Sequence, residues 1–413
     1  MAKEKPQYPK LTKEIVEGFA TSCLTKYYDE ASQFADFHRE WWELCCSDDK
    51  FVAICAPRGH SKSTTITITY SLACALFRQR KYILLVADTE SQAALFLGQI
   101  KQILYDSEEI HNLFGLQSGP KGVEFEKDTE TDIIVKFADQ NSFRIVAKGA
   151  EQKLRGMLWS GQRPDMIVID DLMNEELVAN KDRRDKLRRW VYGSLIPCRS
   201  EKGIIRFVGT PMNLDDPLES LMPKETAKTT VVEELKTYST KKQGMWRSVK
   251  YRAHTDDFKD ILWPTRWKKE DLIERKAQYT QQGLADAYSQ EMLNIPLDES
   301  DTFFKRADFL PMKDEDRKKN LNYYIACDLA ISQKTRSDYS VFAVAGMDED
   351  GRLQCVNVIR DRMDAKQLVD TVLMLQKLYK PMLFGIEAGT IQKSIGPYLN
   401  EAMLSSGTFV NLV

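Results

Sequence analysis

Residues 51–65 read Phe-Val-Ala-Ile-Cys-Ala-Pro-Arg-Gly-His-Ser-Lys-Ser-Thr-Thr, an unbroken apolar run that gives way to a turn ending in Lys-Ser. A buried strand that feeds such a turn presents successive backbone N–H groups to one point, which is how a phosphate is cradled. Lys62 then reaches the β and γ oxygens of a nucleotide, and the Ser63 hydroxyl is placed to ligate Mg²⁺. Arg58, Gly59, His60, Ser61, Lys62, Ser63 and Thr64 are the candidate phosphate contacts. The usual pattern has glycine at positions 56 and 61, whereas this chain has Ala56 and Ser61 with a displaced Gly59. Taken alone, the stretch also reads as a polar loop before an ordinary helix.

About one hundred residues on, Asp165-Met-Ile-Val-Ile-Asp-Asp-Leu172 is a second short apolar run that ends in paired carboxylates, where a buried parallel strand would stop. Asp170 is placed to hold the Mg²⁺ shell through water, and Asp171 to orient and deprotonate an attacking water. A third run, Gly203-Ile-Ile-Arg-Phe-Val208, closes in Gly209-Thr210-Pro211, which sets a hydroxyl at another strand end to sense the γ-phosphate. Each feature has an ordinary reading as a helix cap or a turn. Three of them in this order on strand ends predict an α/β nucleotide-hydrolysing domain.

The chain has 413 residues and 43% hydrophobic content, enough for at least two domains with their own cores. Its apolar runs reach only about eight residues, short of the roughly twenty that span a bilayer, and the Met-Ala-Lys-Glu-Lys-Pro start has no signal-peptide core. The expectation is an intracellular protein without a membrane partner. Eight cysteines without Cys-x-x-Cys spacing and only four histidines point to buried, reduced thiols. A net charge of −2 from 59 basic and 61 acidic residues means that a nucleic-acid surface requires local segregation of charge.

Aromatic and aliphatic residues at helical spacing from Tyr27 to Cys46 predict a helix, in which Gln33, Phe34, His38 and Trp41 are candidates to cover an adenine or else to form core. Residues 62–77 and 91–105 read as helices and 82–87 as a strand, an alternation that implies a parallel sheet. A polar insert at 117–131 precedes strand-like runs at 133–137 and 142–147. Asn180 to Trp190 holds six basic residues in eleven and reads as a charged helix that grips DNA phosphates or a neighbouring subunit, or is simply solvated. The segment 293–302 is polar, contains Pro296, and reads as a linker.

Beyond it, 323–330, 340–345 and 353–360 read as an antiparallel meander, followed by an amphipathic helix at 365–379 and a strand at 381–388. This strand-strand-strand-helix-strand order is that of an RNase H-like fold. It would put Asp328 and Glu387 on two strands of one sheet, as carboxylates that hold two divalent metals for phosphodiester cleavage, with Asp338 a weaker third candidate.

These motifs together resemble the large terminase subunit of tailed bacteriophages. The resemblance rests on Ala56-Pro-Arg-Gly-His-Ser-Lys-Ser63, Met166-Ile-Val-Ile-Asp-Asp171, Phe207-Val-Gly-Thr-Pro211, Tyr288-Ser-Gln-Glu-Met-Leu-Asn-Ile-Pro296 and the strands of Asp328 and Glu387. It implies a P-loop ATPase domain of the ASCE type over residues 1–295, with a lid or linker subdomain over about 228–295, then a linker over 296–320 and an RNase H-like nuclease over 321–413. It implies ATP and Mg²⁺ as cofactors, with Mn²⁺ an alternative in the nuclease. It assigns Lys62 and Ser63 to phosphate and Mg²⁺, Asp170 to the Walker B acid, Asp171 to the catalytic carboxylate, and Thr210 to coupling hydrolysis to motion. Arg58 resembles the arginine of the family's phosphate loop. Arg155, in Leu-Arg-Gly, resembles an arginine that reaches a neighbouring subunit's nucleotide, and it is equally readable as a surface side chain.

The partners implied are double-stranded DNA, the portal and procapsid, the small terminase subunit, and further copies in a homo-oligomeric ring, a pentamer by resemblance. The place implied is the host cytoplasm, transiently at the portal and not in the mature virion. The family's nuclease carries a further acid beyond the Glu387 strand, and this sequence stops at Val413 in a strand-like run, so the nuclease is expected to be C-terminally incomplete and weak in cutting. The competing readings are another ASCE DNA translocase or helicase, and a catalytically silent scaffold that binds DNA and procapsid.

Overall fold

A computed structural model describes residues 8–28, 34–119, 122–174, 181–224, 227–242, 244–296, 310, 312–313, 315–316, 319–329, 339–386 and 390–410. The chain divides into two compact units, Met1–Lys305 and Arg306–Val413.

The first unit is built on strands whose every residue is buried. These are β1 (Phe51–Cys55), β2 (Tyr82–Ala87), β6 (Met166–Asp170) and β7 (Ile204–Gly209), with β3 (Phe125–Asp128), β4 (Asp132–Lys136) and β5 (Ser142–Gly149) between them in the chain. Three more follow: β8 (Thr230–Val232), β9 (Lys236–Ser239) and β10 (Trp246–Tyr251). They form one sheet in the order β8-β9-β10-β1-β7-β6-β2-β5-β4-β3. The six central strands, from β10 to β5, run parallel, and an antiparallel pair extends the sheet on each side. Continuous apolar sequence is what a parallel strand covered on both faces needs.

Alternation along β1 shows the two cores. Val52 and Ile54 enter a cluster with Phe37, Trp41 and Trp42, and Phe51, Ala53 and Cys55 enter one with Leu187, Val191 and Leu195. Helices α1 (Lys13–Phe19) and α2 (Asp36–Cys46) lie on the first side. The helix predicted to begin at Tyr27 begins at Asp36 instead. His38 Nδ1 accepts the Ala35 N–H at 3.1 Å, an orphan amide at the helix start. After the 55–62 turn comes α3, wound as wide π turns over Ser63–Tyr70 and as α-helix over Ser71–Leu76. Next come α4 (Glu90–Asp106), α5 (Glu108–Phe114), the charged α6 (Lys181–Trp190), α7 (Lys269–Gln281) and α8 (Ala285–Leu293).

Arg206, in mid-β7, is 2% exposed and donates to main-chain carbonyls alone: Cys45 at 2.6 and 3.1 Å, Asp49 at 3.1 Å, Lys50 at 3.4 Å and Ile205 at 3.0 Å. It caps the carboxyl end of α2 and ties it to the sheet.

The second unit has β11 (Asn322–Asp328), β12 (Ser340–Met347), β13 (Leu353–Asp361), α9 (Ala365–Tyr379), β14 (Leu383–Ile386) and α10 (Thr390–Ser406). The sheet order is β13-β12-β11-β14, antiparallel except for the parallel β11 and β14 pair. Ile325, Cys327, Phe342, Val344, Phe384 and Ile386 form its core with residues of α9 and α10. The run at 407–413, which reads as a strand, is not one over 407–410, because α10 extends through Ser406; residues 411–413 lie outside the described ones. Cysteine accounting also shifts: all eight are free, but Cys355 is exposed and Cys46 half-buried, because β13 is an edge strand and Cys46 closes α2.

Replacing Arg206 with Met removes the guanidinium's bonds between the end of α2 and the sheet, while Cys45 O keeps the Tyr70 hydroxyl and Lys50 O the Ile205 N–H, a cost of about 2–3 kcal/mol. All seven tryptophans lie in the first unit, so their fluorescence reports its unfolding alone. The expected outcome is a fall of about 1 M in the urea midpoint; an unchanged midpoint would mean that other donors replace the guanidinium.

Candidate active site

Parallel pairing sets three strand ends at one level: Cys55 opposes Gly209, and Asp170 opposes Val208. Ligands of open parallel sheets gather outside such carboxyl ends. The Ala56 N–H donates to Gly209 O at 3.1 Å, and the Asp171 N–H donates to Val208 O at 3.0 Å, so the main chain is still paired as the turns begin.

Thr210 links the three ends. Its Oγ1 donates to Ala56 O at 3.0 Å and accepts from Lys62 Nζ at 2.7 Å, and its N–H donates to Asp171 Oδ1 at 2.8 Å. Lys62, 6% exposed, also donates to Pro57 O at 3.3 Å and stands 4.0 Å from Asp171 Oδ2. A β-carbon at Gly209 would lie 2.9 Å from Asp171 Oδ1, so only glycine lets that carboxylate lean over β7. Asp171 itself has φ +41°.

Asp170 is fully buried. Burial and the adjacent Asp171 push its pKa up, against hydrogen bonds from Thr67 and Ser63. Thr67 Oγ1 donates to Oδ2 at 2.6 Å, while the buried Oδ1 has no hydrogen-bond partner among the described residues. An orphaned, desolvated carboxylate oxygen beside a serine hydroxyl suits a hard cation.

The 56–62 turn takes left-handed backbone at Gly59 (φ +73°) and at Ser61 (φ +58°). A β-carbon on Gly59 would meet Trp267 Cζ2 at 2.8 Å. Ser63 and Thr64 are half-buried at the start of α3. His60 does not face outward with the rest of the turn. It is fully buried, donates from Nδ1 to Arg58 O at 3.0 Å, and stacks at 6.0 Å on Trp267. His38 supports the turn from α2, its Nε2–H donating to His60 O at 3.1 Å. Burial lowers the two imidazoles to about 4 (His38) and about 3 (His60), so both are neutral at pH 7. His38 and Trp41, read as candidates to cover a base, are therefore core: 1% and 0% exposed. Phe34 lines a cleft with Phe37 and Trp263, and Gln33 lies outside the described residues.

Arg58 is exposed, and its Nη1 pairs with Glu291 Oε1 at 2.6 Å. Glu291 Oε2 also accepts from Tyr279 OH at 3.1 Å and from Arg275 at 3.3 Å. Arg58, Asp171, Asn174, Thr210, Gln290 and Glu291 line a cleft of about 560 Å³. Arg155 is not among its lining. It is exposed in a separate cleft of about 390 Å³ beside Arg163 and Cys198, which precede β6 and β7. Three basic residues of α6 are paired: Arg184 and Arg188 with Asp215, and Lys186 with Glu151.

In the second unit Asp328 is exposed at the end of β11. Asp338 and Glu387 lie outside the described residues. Among the described residues no group of three or more His, Cys, Asp or Glu side chains is gathered to hold a metal, and no helix is long and apolar enough to cross a membrane.

Thr67, Asp216, Glu291, Trp267 and the bracing role of His38 were not singled out from sequence. Glu291 alone carried a signal, since it falls in the 288–296 segment.

No family model matches the chain, and no curated protein does. The solved structures that it resembles include large terminases. That of bacteriophage HK97 is 14% identical with a TM-score of 0.46, over 98% of this chain and 85% of that one. That of a thermophilic bacteriophage, in complex with ADP, is 10% identical with a TM-score of 0.39, over 92% and 82%. The ATPase domain from Thermus phage P74-26 is 16% identical with a TM-score of 0.39, over 62% and 91%. Every one of these scores is below 0.5, so any statement about activity rests on the residues of this chain.

Asp216 closes the loop after Thr210, accepting from Met212 N at 3.1 Å and Leu218 N at 2.8 Å. Burial, helped by Glu219 and Asp171, pushes its pKa up to about 7. A carboxyl raised from about 4 in the unfolded chain holds an extra proton when folded, so its stabilising share is present at low pH and lost as pH rises from about 4 to 7. Asp216→Asn removes this titration. Its stability relative to the parent should improve as pH rises from 5 to 8 in thermal melts; a pH-independent difference would refute the assignment.

Proposed function

We propose that the chain is an ATP-hydrolysing DNA translocase of the packaging-motor kind, a large terminase subunit, with an attached RNase H-like nuclease. The observation that carries the reading is the convergence of Lys62, Asp170, Asp171 and Thr210 at the carboxyl ends of adjacent parallel strands, tied by Thr210.

In this reading the N–H groups of the 58–64 turn cradle the phosphates, and the Lys62 ammonium sets its charge on the β and γ oxygens. Ser63 and Asp170 would hold Mg²⁺, which when bound neutralises charge on the transferred phosphoryl group. Asp170 must be ionised to do so, and its orphaned Oδ1 is the atom that gains. Asp171, half exposed at the cleft, orients the water and takes its proton. Its tie to the Thr210 N–H supports this role by holding the carboxylate at the cleft. Arg58 adds a positive charge at the rim of that cleft, and Arg155, outside it, would act on another subunit's nucleotide.

The order β13-β12-β11-β14, with Asp328 ending a central strand, supports the nuclease reading, with Asp328, Glu387 and Asp338 holding Mg²⁺ or Mn²⁺. The partners are then double-stranded DNA, the portal of a procapsid, the small terminase subunit and further copies in a ring, within the host cytoplasm.

DNA-stimulated ATP hydrolysis by the whole chain tests this. Lys62→Ala and Asp171→Asn should each lower the rate by about 100-fold or more. Absence of hydrolysis by the parent with DNA and Mg²⁺ supplied would sink the motor reading and favour a silent scaffold.

A further inference from the structure

Residues 64–69 read Thr-Thr-Ile-Thr-Ile-Thr, six β-branched side chains in succession. Such a run loses rotamer freedom in a helix and ordinarily favours extended chain. Here it forms the first turns of α3, wound wider than an α-helix over Ser63–Tyr70. A helix built against its local preference, and with widened turns, is a conflict that folds accept mainly at functional sites. Residues of α2 hold these turns from one side: Trp42 Nε1 donates to Thr65 O at 3.0 Å, and Cys45 O accepts from the Tyr70 hydroxyl at 2.6 Å. Residue 67, between the two ties, has little freedom to move.

A helical threonine ordinarily turns its hydroxyl to a carbonyl one turn back. The Thr67 hydroxyl instead crosses to β6 and donates to Asp170 Oδ2 at 2.6 Å. Both residues are 1% exposed, so bulk water does not compete for the bond. Its effect is to make the two oxygens of Asp170 unequal. Oδ2 is tied to α3, whereas Oδ1, equally buried, has no hydrogen-bond partner among the described residues, and Ser63 stands beside the same carboxylate. Hydrogen bonds of this kind, made to the ligand and not to the ion, orient carboxylates in metal sites.

We propose that Thr67 is a positioning residue that sets the cation preference of the site: by holding Oδ2 it leaves Asp170 one oxygen to offer at one angle, which admits Mg²⁺ and discriminates against Ca²⁺. The inference rests on the nucleotide-binding reading above. Mg²⁺ demands a near-octahedral shell, keeps several of its waters and takes few carboxylate oxygens, whereas Ca²⁺ takes more oxygens at longer distances and draws on both oxygens of a carboxylate. Turning Asp170 to offer both would break the Thr67 bond in a buried place, where a hydroxyl and a carboxylate oxygen left without partners are costly. Valine at position 67 keeps the branched shape and removes the tie, so the carboxylate is free to turn.

The experiment uses the full chain and a fluorescent ADP analogue whose anisotropy reports binding, titrated with Mg²⁺ or with Ca²⁺, and ATP hydrolysis is followed in parallel. The parent should need about 10-fold more Ca²⁺ than Mg²⁺ for half-saturation. Thr67→Val should raise the Mg²⁺ requirement by about 10-fold and bring the ratio of the two cations toward one, the usual scale for losing a group that orients a ligand. In hydrolysis the same variant should need more Mg²⁺ for half-maximal rate, with kcat at saturating Mg²⁺ little changed. Thr67→Ser keeps the hydroxyl and should keep the parent's ratio. Thr67→Cys, a milder change that leaves a weak donor, should move the ratio in the direction of valine by a smaller factor, and it carries the test if the valine variant does not fold. A side chain that only filled space would leave the ratio unmoved. A parent that binds the analogue equally well with either cation, or an unchanged ratio in the folded Thr67→Val and Thr67→Cys variants, would overturn the role of Thr67 and leave the nucleotide reading standing. A parent that binds no analogue with either cation would overturn both.

Discussion

The Thr210 hydroxyl is the contact on which the candidate site depends. It bonds to the last strand-level carbonyl of β1 and accepts from Lys62, while the same residue's N–H holds Asp171. One residue thus joins the buried Lys62 ammonium, the Asp171 carboxylate and the two strands that deliver them. This is possible because β7 lies between β1 and β6, so that its end is within hydrogen-bond reach of both. The parallel register does the rest, since ladder bonds continue to Ala56 and Asp171 before the turns depart.

Support beneath the site is aromatic and neutral. Phe37, His38, His60, Trp263 and Trp267 pack behind the turn, and both imidazoles are held uncharged by burial. A protonated histidine there would put a second cation close to Lys62 in a place without water to screen it. The pairing of Arg58 with Glu291 works from the other side, fixing the rim to α8.

Legibility in the sequence tracks how local each signal is. Strands β1, β2, β6 and β7 are continuous apolar runs between turns, so their place and parallel character were readable. The runs at 323–330, 340–345 and 353–360 were likewise readable as an antiparallel meander with Asp328 on its first strand. The contribution of α2 was left open: His38 and Trp41 sit at the same spacing whether they cover a base or form core, and only the chain folding back over residues 60 and 263 decides it. Glu291 was nearly silent because it meets Arg58 from 233 residues away, and Asp216 because its role is set by burial in a loop that closes on itself. Charge density at α6 fitted a nucleic-acid grip, a neighbouring subunit or a solvated face, and the pairing of three of its basic residues with Glu151 and Asp215, acids distant in sequence, could not be read from that segment.

The departures at Ala56 and Ser61 bear on whether the turn can still work. Ala56 keeps its N–H paired to Gly209 O and its carbonyl to the Thr210 hydroxyl and is fully buried, so a methyl group there disturbs neither bond. Ser61 holds the left-handed backbone that glycine would adopt freely, at a cost on the order of 1–2 kcal/mol. Such strain persists only where the surroundings impose it. Here they do: the Thr65 N–H bonds to Ser61 O at 2.9 Å on one side, and the buried His60 anchors the other. At position 61 the turn keeps its path without glycine because the packing around it dictates that path, while Gly59 supplies the left-handed residue two positions earlier.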